Sequence, residues 1–474
     1  MPSGLASAPD ELVTWPAWKQ REAILAGQLA AVELIGAALR RIEQVDPRLH
    51  SFVHVAREPP LERARELDAA LQRGDEPGPL FGVPVSIKDL YHVAGMPTTA
   101  GSLLFRERVA EEDSLYAARL RAAGAVIVGK TNTPEFGVFP RTVNRLGAET
   151  LNPWDLERTP GGSSGGAAAS VAAGLTPIAV GSDGGGSIRI PAALCGVVGM
   201  LPTRGLVPRH GGVGGTVLFS SAGPIAADVR DAATLLQVLA GPFPGDPLAL
   251  KAAAPDLVGG LDRGVEGLRI RWLASTGVSE PDPRVAFAAE AGVRSLAAAG
   301  AIVDDAPVVL DAARWQDGFY DMMSADRYGS VGQALYEDPS ARELLSDYGE
   351  QAFARGSQVT GAQYSRALQM RYEARDELLR LFETTDLVLS PTTCVVAPKT
   401  SEEVSRGPLV AFTNFCNLTG LPAATVPCGL VDGLPVGVQI VGPPLGDALV
   451  MRACRAFEQR NPIVRPDLSA PEDQ

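Results

Sequence analysis

Two serine-bearing glycine loops, Gly161-Gly162-Ser163-Ser164-Gly165-Gly166 and Gly184-Gly185-Gly186-Ser187, follow a lysine that closes the run Val85-Ser86-Ile87-Lys88-Asp89. Glycine lets the backbone come close to a ligand and turn successive N–H groups towards one point. A chain carrying both loops therefore has to fold so that two hydroxyls and one amine are held at the ends of regular elements. Either loop alone is a tight turn; the constraint lies in finding both with the lysine.

The chemistry follows from the residue types. A neutral serine hydroxyl is a poor nucleophile and needs a base to take its proton. Lysine serves only when it is neutral, and its ordinary pKa of about 10.4 must be lowered by burial or neighbouring positive charge. Ser187 reads as the nucleophile, Ser163 as the relay hydroxyl and Lys88 as the terminal base. The N–H groups of Gly184, Gly185, Gly186 and Ser187 are expected to form the oxyanion hole, where loss of one donor costs roughly 3 kcal/mol.

The stretch Thr159-Pro160-Gly161-Gly162-Ser163-Ser164-Gly165-Gly166, then Gly181-Ser182-Asp183-Gly184-Gly185-Gly186-Ser187-Ile188-Arg189 and Pro191-Ala192-Ala193, resembles the defining block of the amidase signature family. Gly129-Lys130-Thr131-Asn132-Thr133-Pro134-Glu135-Phe136, Cys195-Gly196-Val197-Val198-Gly199 and Asn417-Leu418-Thr419-Gly420-Leu421-Pro422-Ala423 extend the likeness over most of the chain. The resemblance implies Ser187 as nucleophile, Ser163 after a cis peptide bond, and Lys88 as base. It also implies a central mixed, twisted β-sheet covered by helices on both faces. Many members have threonine or glutamine at Gly184, and lysine is frequent at Leu201. Gly162, Ser164, Asp183, Arg189 and Asn132 are candidate supporting or substrate-binding residues: Asp183 and Arg189 can exchange a charged hydrogen bond that stiffens the nucleophile loop, and Asn132 can shape the acyl side of the pocket.

Composition narrows the remaining classes. With 474 residues and 46% hydrophobic content the chain can bury a large α/β core. A formal charge of −13 disfavours a general nucleic-acid-binding role. The five cysteines and four histidines show no metal-ligand spacing, so neither metal nor cofactor is expected. No apolar stretch is long enough to span a bilayer and no signal peptide is legible, which makes the cytoplasm the expected location and excludes a membrane partner.

Along the chain, periodicity predicts one interwoven amidase domain over 1–474: N-terminal helices in 1–75, a catalytic core in 82–240, a helical cap in 312–381, and core strands with a C-terminal helix in 386–474. Val32, Ile35, Leu39 and Ile42 predict one helical face, and Leu61, Ala64, Leu67 and Leu71 another. Val83 to Ile87 reads as a strand, with Pro84 pointing to a sheet edge or an irregular start. Residues 240–267 read as a surface connection. The cap is rich in aromatics, among them Trp315, Phe319, Tyr320, Tyr328, Tyr348 and Phe353, which suit helix packing and, in part, an apolar leaving-group pocket.

These readings converge on a stand-alone amide hydrolase, a monomer or homodimer acting on a small-molecule amide or carbamate through an acyl-enzyme, with aryl amides preferred and esters allowed. Two alternatives stay open. One is the glutamine-hydrolysing subunit of a tRNA-dependent amidotransferase. The other is an α/β-hydrolase-type esterase, since Gly161 to Gly165 fits the G-x-S-x-G pattern and His210 is the only histidine downstream of it.

Overall fold

The computed structural model describes residues 9–466 and residue 468. Its frame is a mixed sheet of eleven strands: β1 Phe52–Val55, β2 Pro84–Lys88, β3 Val126–Thr131, β4 Ile178–Asp183, β5 Val198–Leu201, β6 Ser221–Ala226, β7 Arg269–Ser275, β8 Ile302–Val309, β9 Leu387–Pro391, β10 Ala423–Val431 and β11 Leu434–Val441. They lie in the order β1-β3-β2-β4-β6-β5-β10-β11-β9-β7-β8. β3, β2 and β4 run parallel, as do β9, β7 and β8, and antiparallel pairings join these two blocks. Neighbouring strands thus come from distant parts of the chain, β5 beside β10 being one case.

Side chains alternate across each strand and sort the sheet into two buried faces. Val85, Ile87, Ile178 and Val180 pack into one cluster with Leu235 and Leu236 of helix Val229–Leu239 and Phe457 of helix Asp447–Arg460. Ala179 and Ile225 turn the other way, onto Ala168 of helix Gly165–Ala172, Ala192 of helix Arg189–Cys195 and Ile188 just before that helix. The same alternation sends Ser86 and Lys88 away from Val85 and Ile87, to the face on which the glycine loops lie. Small residues let these short helices sit close: a Cβ on Gly199 would come within 2.7 Å of the Ala192 methyl and 2.9 Å of Ile188.

Two elements differ from the periodicity reading, and the structure decides the place of Pro84. Of the two readings of Pro84 the edge strand fails, because β2 is flanked by β3 and β4, whereas the start of the strand fits: the proline is its first residue, where the missing N–H is tolerated. Helix Ala31–Leu49 buries Leu34, Ala38 and Val45 with Ile35 and Ile42, leaving Val32 and Leu39 only partly covered, so its inner face is rotated from the expected stripe. The 240–267 connection carries buried Leu257, Leu261 and Val265 into the main core. No helix among the described residues is long and apolar enough to cross a membrane.

The cap helices Gln316–Arg327, Asp347–Gln358 and Gly361–Leu381 spend most of their aromatics on packing. Phe353 lies 5.5 Å from the Phe136 ring, and Tyr348 stacks on Phe139 at 4.8 Å while its hydroxyl donates to the Val143 carbonyl. At the sheet centre Ile440 of β11 has no exposure. Ile440→Ala is expected to lower unfolding free energy by about 2–5 kcal/mol through lost burial and the cavity left behind, measured by urea denaturation.

Candidate active site

Lys88 ends β2 with no exposed surface. Its Nζ lies 2.6 Å from Ser163 Oγ, 2.9 Å from Ser164 Oγ and 2.9 Å from Ser182 Oγ. Three hydroxyls surround the amine and no carboxylate touches it. Burial drives its pKa well below the ordinary lysine value; Asp183 opposes this and the Arg327 cation adds to it. Ser164 Oγ donates to the Ser182 carbonyl at 3.1 Å and Ser182 N donates back to Ser164 Oγ at 3.2 Å. A neutral amine has two N–H donors for Ser164 and Ser182 and one lone pair for Ser163, an arrangement that accepts a proton from Ser163. The Gly162–Ser163 peptide is cis.

Ser187 follows the loop at the end of β4 and is partly exposed to a cavity of about 60 Å³ that Gly162, Ser163, Ser182, Gly184 and Gly185 also line. Asp183 holds this loop from beneath. Its carboxylate accepts from Gly186 N at 2.6 Å, Ile188 N at 3.2 Å and Asn417 Nδ2 at 2.9 Å, and pairs with Arg189 Nε at 3.0 Å. Burial alone would raise the Asp183 pKa; Arg189, Asn417 and Gly186 outweigh it and hold the carboxyl below its usual range. Arg189 also donates to Gln439 Oε1 and Asn417 Oδ1, both at 2.7 Å. It is fully buried and absent from the cavity wall, so its position is a loop support's.

Two expected site residues fall elsewhere. The Gly186 N–H is committed to Asp183, so it is not an oxyanion donor; the N–H groups of Gly184, Gly185 and Ser187 make no hydrogen bond among the described residues. Gly186 is instead required by space and φ (+119°), since a Cβ there would come within 2.3 Å of Thr413 Oγ1. Asn132 does not shape the pocket. It bonds Thr150, Thr133 and Asn144 behind the first glycine loop and lies outside the cavity lining.

Sequence reasoning missed Ser182, which completes the ring around Lys88, and also Arg327 and Arg406, which line the cavity. The serine was legible as the second residue of the run Gly181-Ser182-Asp183. The arginines carried no motif. Of the cap aromatics only Phe319 and Tyr320 line the cavity, beside Phe136 and Phe139 from outside the cap. No histidine lines it; His210 packs against the Phe243 ring at 4.9 Å. Among the described residues no three His, Cys, Asp or Glu side chains gather in a way that could hold a metal ion.

A buried amine ringed by hydroxyls beneath a glycine loop is the layout of a serine hydrolase that works without histidine. The family model for amidases matches residues 33–451, and the chain belongs to the amidase signature family of amide-bond hydrolases. This removes the α/β-hydrolase alternative. The A subunit of the glutamyl-tRNA(Gln) amidotransferase of Carboxydothermus hydrogenoformans is 38% identical over 477 aligned positions, covering 94% of this chain and 98% of that protein. Among solved structures, a bacterial aryl acylamidase of the amidase signature family superposes with a TM-score of 0.87 at 30% identity, covering 94% of this chain and 96% of the other. The A subunit of the glutamyl-tRNA(Gln) amidotransferase of Thermotoga maritima superposes at 0.80 with 30% identity, covering 98% of each chain.

These relatives correct the expectation of a stand-alone aryl-amide or carbamate hydrolase, monomeric or homodimeric, with only a small molecule as partner. Like the Carboxydothermus protein, the further relatives at 36–38% identity are named as subunits of an amidotransferase. The room left by glycine at position 184 and the apolar cap together carried the aryl reading, and the cap's rings are mostly consumed in helix packing.

Removing one partner of a buried ion pair strands the other charge. Arg189→Gln is expected to lower stability by about 3–5 kcal/mol, with turnover falling in parallel because the Ser187 loop loosens. Chemical denaturation and steady-state kinetics on the same preparation check this; lost turnover at undiminished stability would make Arg189 a substrate contact instead.

Proposed function

We propose that this chain is the amide-hydrolysing subunit of a glutamyl-tRNA(Gln) amidotransferase, releasing ammonia from the side-chain carboxamide of glutamine. The supporting observation is the end-to-end likeness to the Carboxydothermus protein, 38% identical across 94% of this chain and 98% of the relative. Within such a complex, it would hand its ammonia to a partner protein acting on charged tRNA.

In this reading Ser187 Oγ attacks the carboxamide carbon while its proton passes through Ser163 to Lys88. The resulting oxyanion takes hydrogen bonds from the free N–H groups of Gly184, Gly185 and Ser187. Collapse breaks the C–N bond as the proton returns by the same path to nitrogen, and ammonia leaves. Water then adds to the acyl-serine, giving its proton to the relay, and release of glutamate restores Ser187. Ser164 and Ser182 hold the amine in place throughout.

The pH dependence follows from the base. Protonated Lys88 cannot accept, so turnover rises as pH climbs through its pKa and levels off above it. Because that pKa lies well below 10.5, the rising limb sits well below the ordinary lysine range. Lys88→Arg cannot shed its proton and is expected to lose roughly 100- to 10,000-fold in kcat; Ser187→Ala abolishes acyl-enzyme formation, read by intact-protein mass spectrometry. Glutamine-dependent ammonia release that grows when partner proteins and charged tRNA are added supports the assignment. Rapid turnover of anilides or carbamates by the isolated chain, with glutamine untouched, would overturn it.

A further inference from the structure

Arg327 is the feature of the cavity that the proton relay does not use. It is 8% exposed, lines the cavity with Ser187 and Ser163, and its Nε has no hydrogen-bond partner among the described residues. The adjacent Asp326 is occupied by the Tyr364 hydroxyl at 2.8 Å and the Val217 N–H at 3.1 Å. A second cation, Arg406, lines the same cavity, donates to the Val138 carbonyl at 3.2 Å and lies over the Tyr320 ring at 5.5 Å. No Asp or Glu is among the lining residues. A buried guanidinium without a carboxylate is costly, and proteins keep such a charge where an anion meets it. Burial, with Arg406 adding to it, pulls the Arg327 pKa down to about 10.

The helix sets where that charge stands relative to the reaction. Phe319, Met323 and Arg327 are spaced four residues apart on Gln316–Arg327 and so share one face. A Cβ on Gly185 would meet Phe319 Cζ at 3.4 Å, and one on Gly184 would meet Met323 Cε at 3.9 Å. The stripe thus begins against the nucleophile loop with two apolar side chains and reaches its cation one turn further on, about 5.4 Å along the axis. A ligand lying on this face meets the nucleophile loop, then an apolar stretch, then a fork of N–H donors suited to a carboxylate.

We propose that Arg327, with Arg406 beside it, is the specificity-determining residue of this cavity, selecting amides whose acyl group carries a carboxylate a few methylene groups from the scissile carbonyl. This rests on the reading of Ser187 as nucleophile in this same site, and it gives the substrate class a physical cause: the ω-amide of a short dicarboxylic acid, glutamine included.

The test compares glutaramate, pentanamide and glutamine as substrates of the full chain, in the wild type and in Arg327→Gln and Arg327→Lys, with thermal unfolding recorded for each. Wild-type kcat/KM for glutaramate should exceed that for pentanamide by about 100-fold, the scale of a charged hydrogen-bonded pair. In Arg327→Gln the ratio collapses towards one, chiefly through KM for glutaramate. Arg327→Lys, which keeps the charge and loses the fork, retains part of the preference. Binding of glutarate, followed by calorimetry, should be present in the wild type and lost in Arg327→Gln, and it reads the site independently of turnover. A preference unchanged in Arg327→Gln, a wild type that does not discriminate, or wild-type chain that binds no glutarate would overturn the proposal. Glutamine hydrolysis that persists undiminished in Arg327→Gln sinks the role of Arg327 and leaves the amidotransferase reading intact. Glutaramate preferred through Arg327 with glutamine refused does the reverse.

Discussion

A primary amine with no exposed surface and only hydroxyls within reach cannot hold its proton as it does in water, and the architecture around Lys88 follows from this. The contrast with Lys130 on the neighbouring strand is instructive. Lys130 is just as buried, but its Nζ lies 2.8 Å from Asp89, so a carboxylate offsets much of the cost of burying its charge. Burial lowers the pKa of both lysines; at Lys130 the neighbouring Asp89 carboxylate opposes the shift directly, while Lys88 falls well below the ordinary value. Two parallel strands therefore deliver two amines to one region, and the presence or absence of a carboxylate decides which is structural and which is suited to accept a proton. The hydroxyls around Lys88 can bond the amine in either protonation state and, unlike Asp89 beside Lys130, bring no negative charge to hold its proton.

A neutral base is useful only if the nucleophile loop holds its shape, and that is the task of the buried charge cluster beneath it. Asp183, Arg189, Asn417 and Gln439 join the end of β4, the start of helix Arg189–Cys195, helix Asn414–Thr419 and β11 in one hydrogen-bonded set. The pair is fully buried, so its value lies less in net stability than in fixing one conformation: a buried guanidinium and carboxylate tolerate few alternatives. Thr413 adds a contact, its hydroxyl donating to the Gly185 carbonyl at 2.9 Å. The loop that begins with three glycines, the most permissive of residues, is thereby held rigid by partners more than two hundred positions away in the chain.

What was legible in the sequence, and what was not, divides along the same line. The serines, the lysine and their loops were readable because glycine and serine at such spacings have few other uses, and the strand carrying Lys88 was visible from Val85 and Ile87. β6 was not, since Ser221-Ala222-Gly223-Pro224-Ile225-Ala226 has no strand-like alternation and contains a proline, yet it lies inside the sheet. It survives there because β5 pairs only with Ile225 and Ala226, leaving Pro224 without a ladder partner on that side. The oxyanion assignment went one residue too far because sequence shows three glycines without showing that Asp183 captures the N–H of the third. Arg327 was invisible for a different reason: on a helix full of aromatics an arginine reads as a solvated residue, and only the fold turns it inward.

The comparisons sharpen what such an inward charge means. The fold accommodates an aryl acylamidase and an amidotransferase subunit with TM-scores of 0.87 and 0.80 at the same 30% identity, so the fold alone does not choose the substrate. Under the proposal above, that choice falls to helix Gln316–Arg327 and the segment carrying Arg406 and Val410, which line the cavity. An apolar wall alone would favour an aryl group, and Phe136, Phe139, Phe319 and Met323 supply part of one. Two guanidinium groups without a lining carboxylate change the balance. Desolvating them against a neutral aromatic ring leaves one of them without its hydrogen bonds, whereas a carboxylate restores those bonds and neutralises charge at once. Such an anion also bears on Lys88, since cancelling the field of Arg327 removes one of the influences that hold the amine neutral. Under the proposal above, binding the substrate's carboxylate and drawing the proton from Ser187 are coupled through a single side chain: the charge that recognises the acyl group also tunes Lys88, the base that serves the attacking hydroxyl.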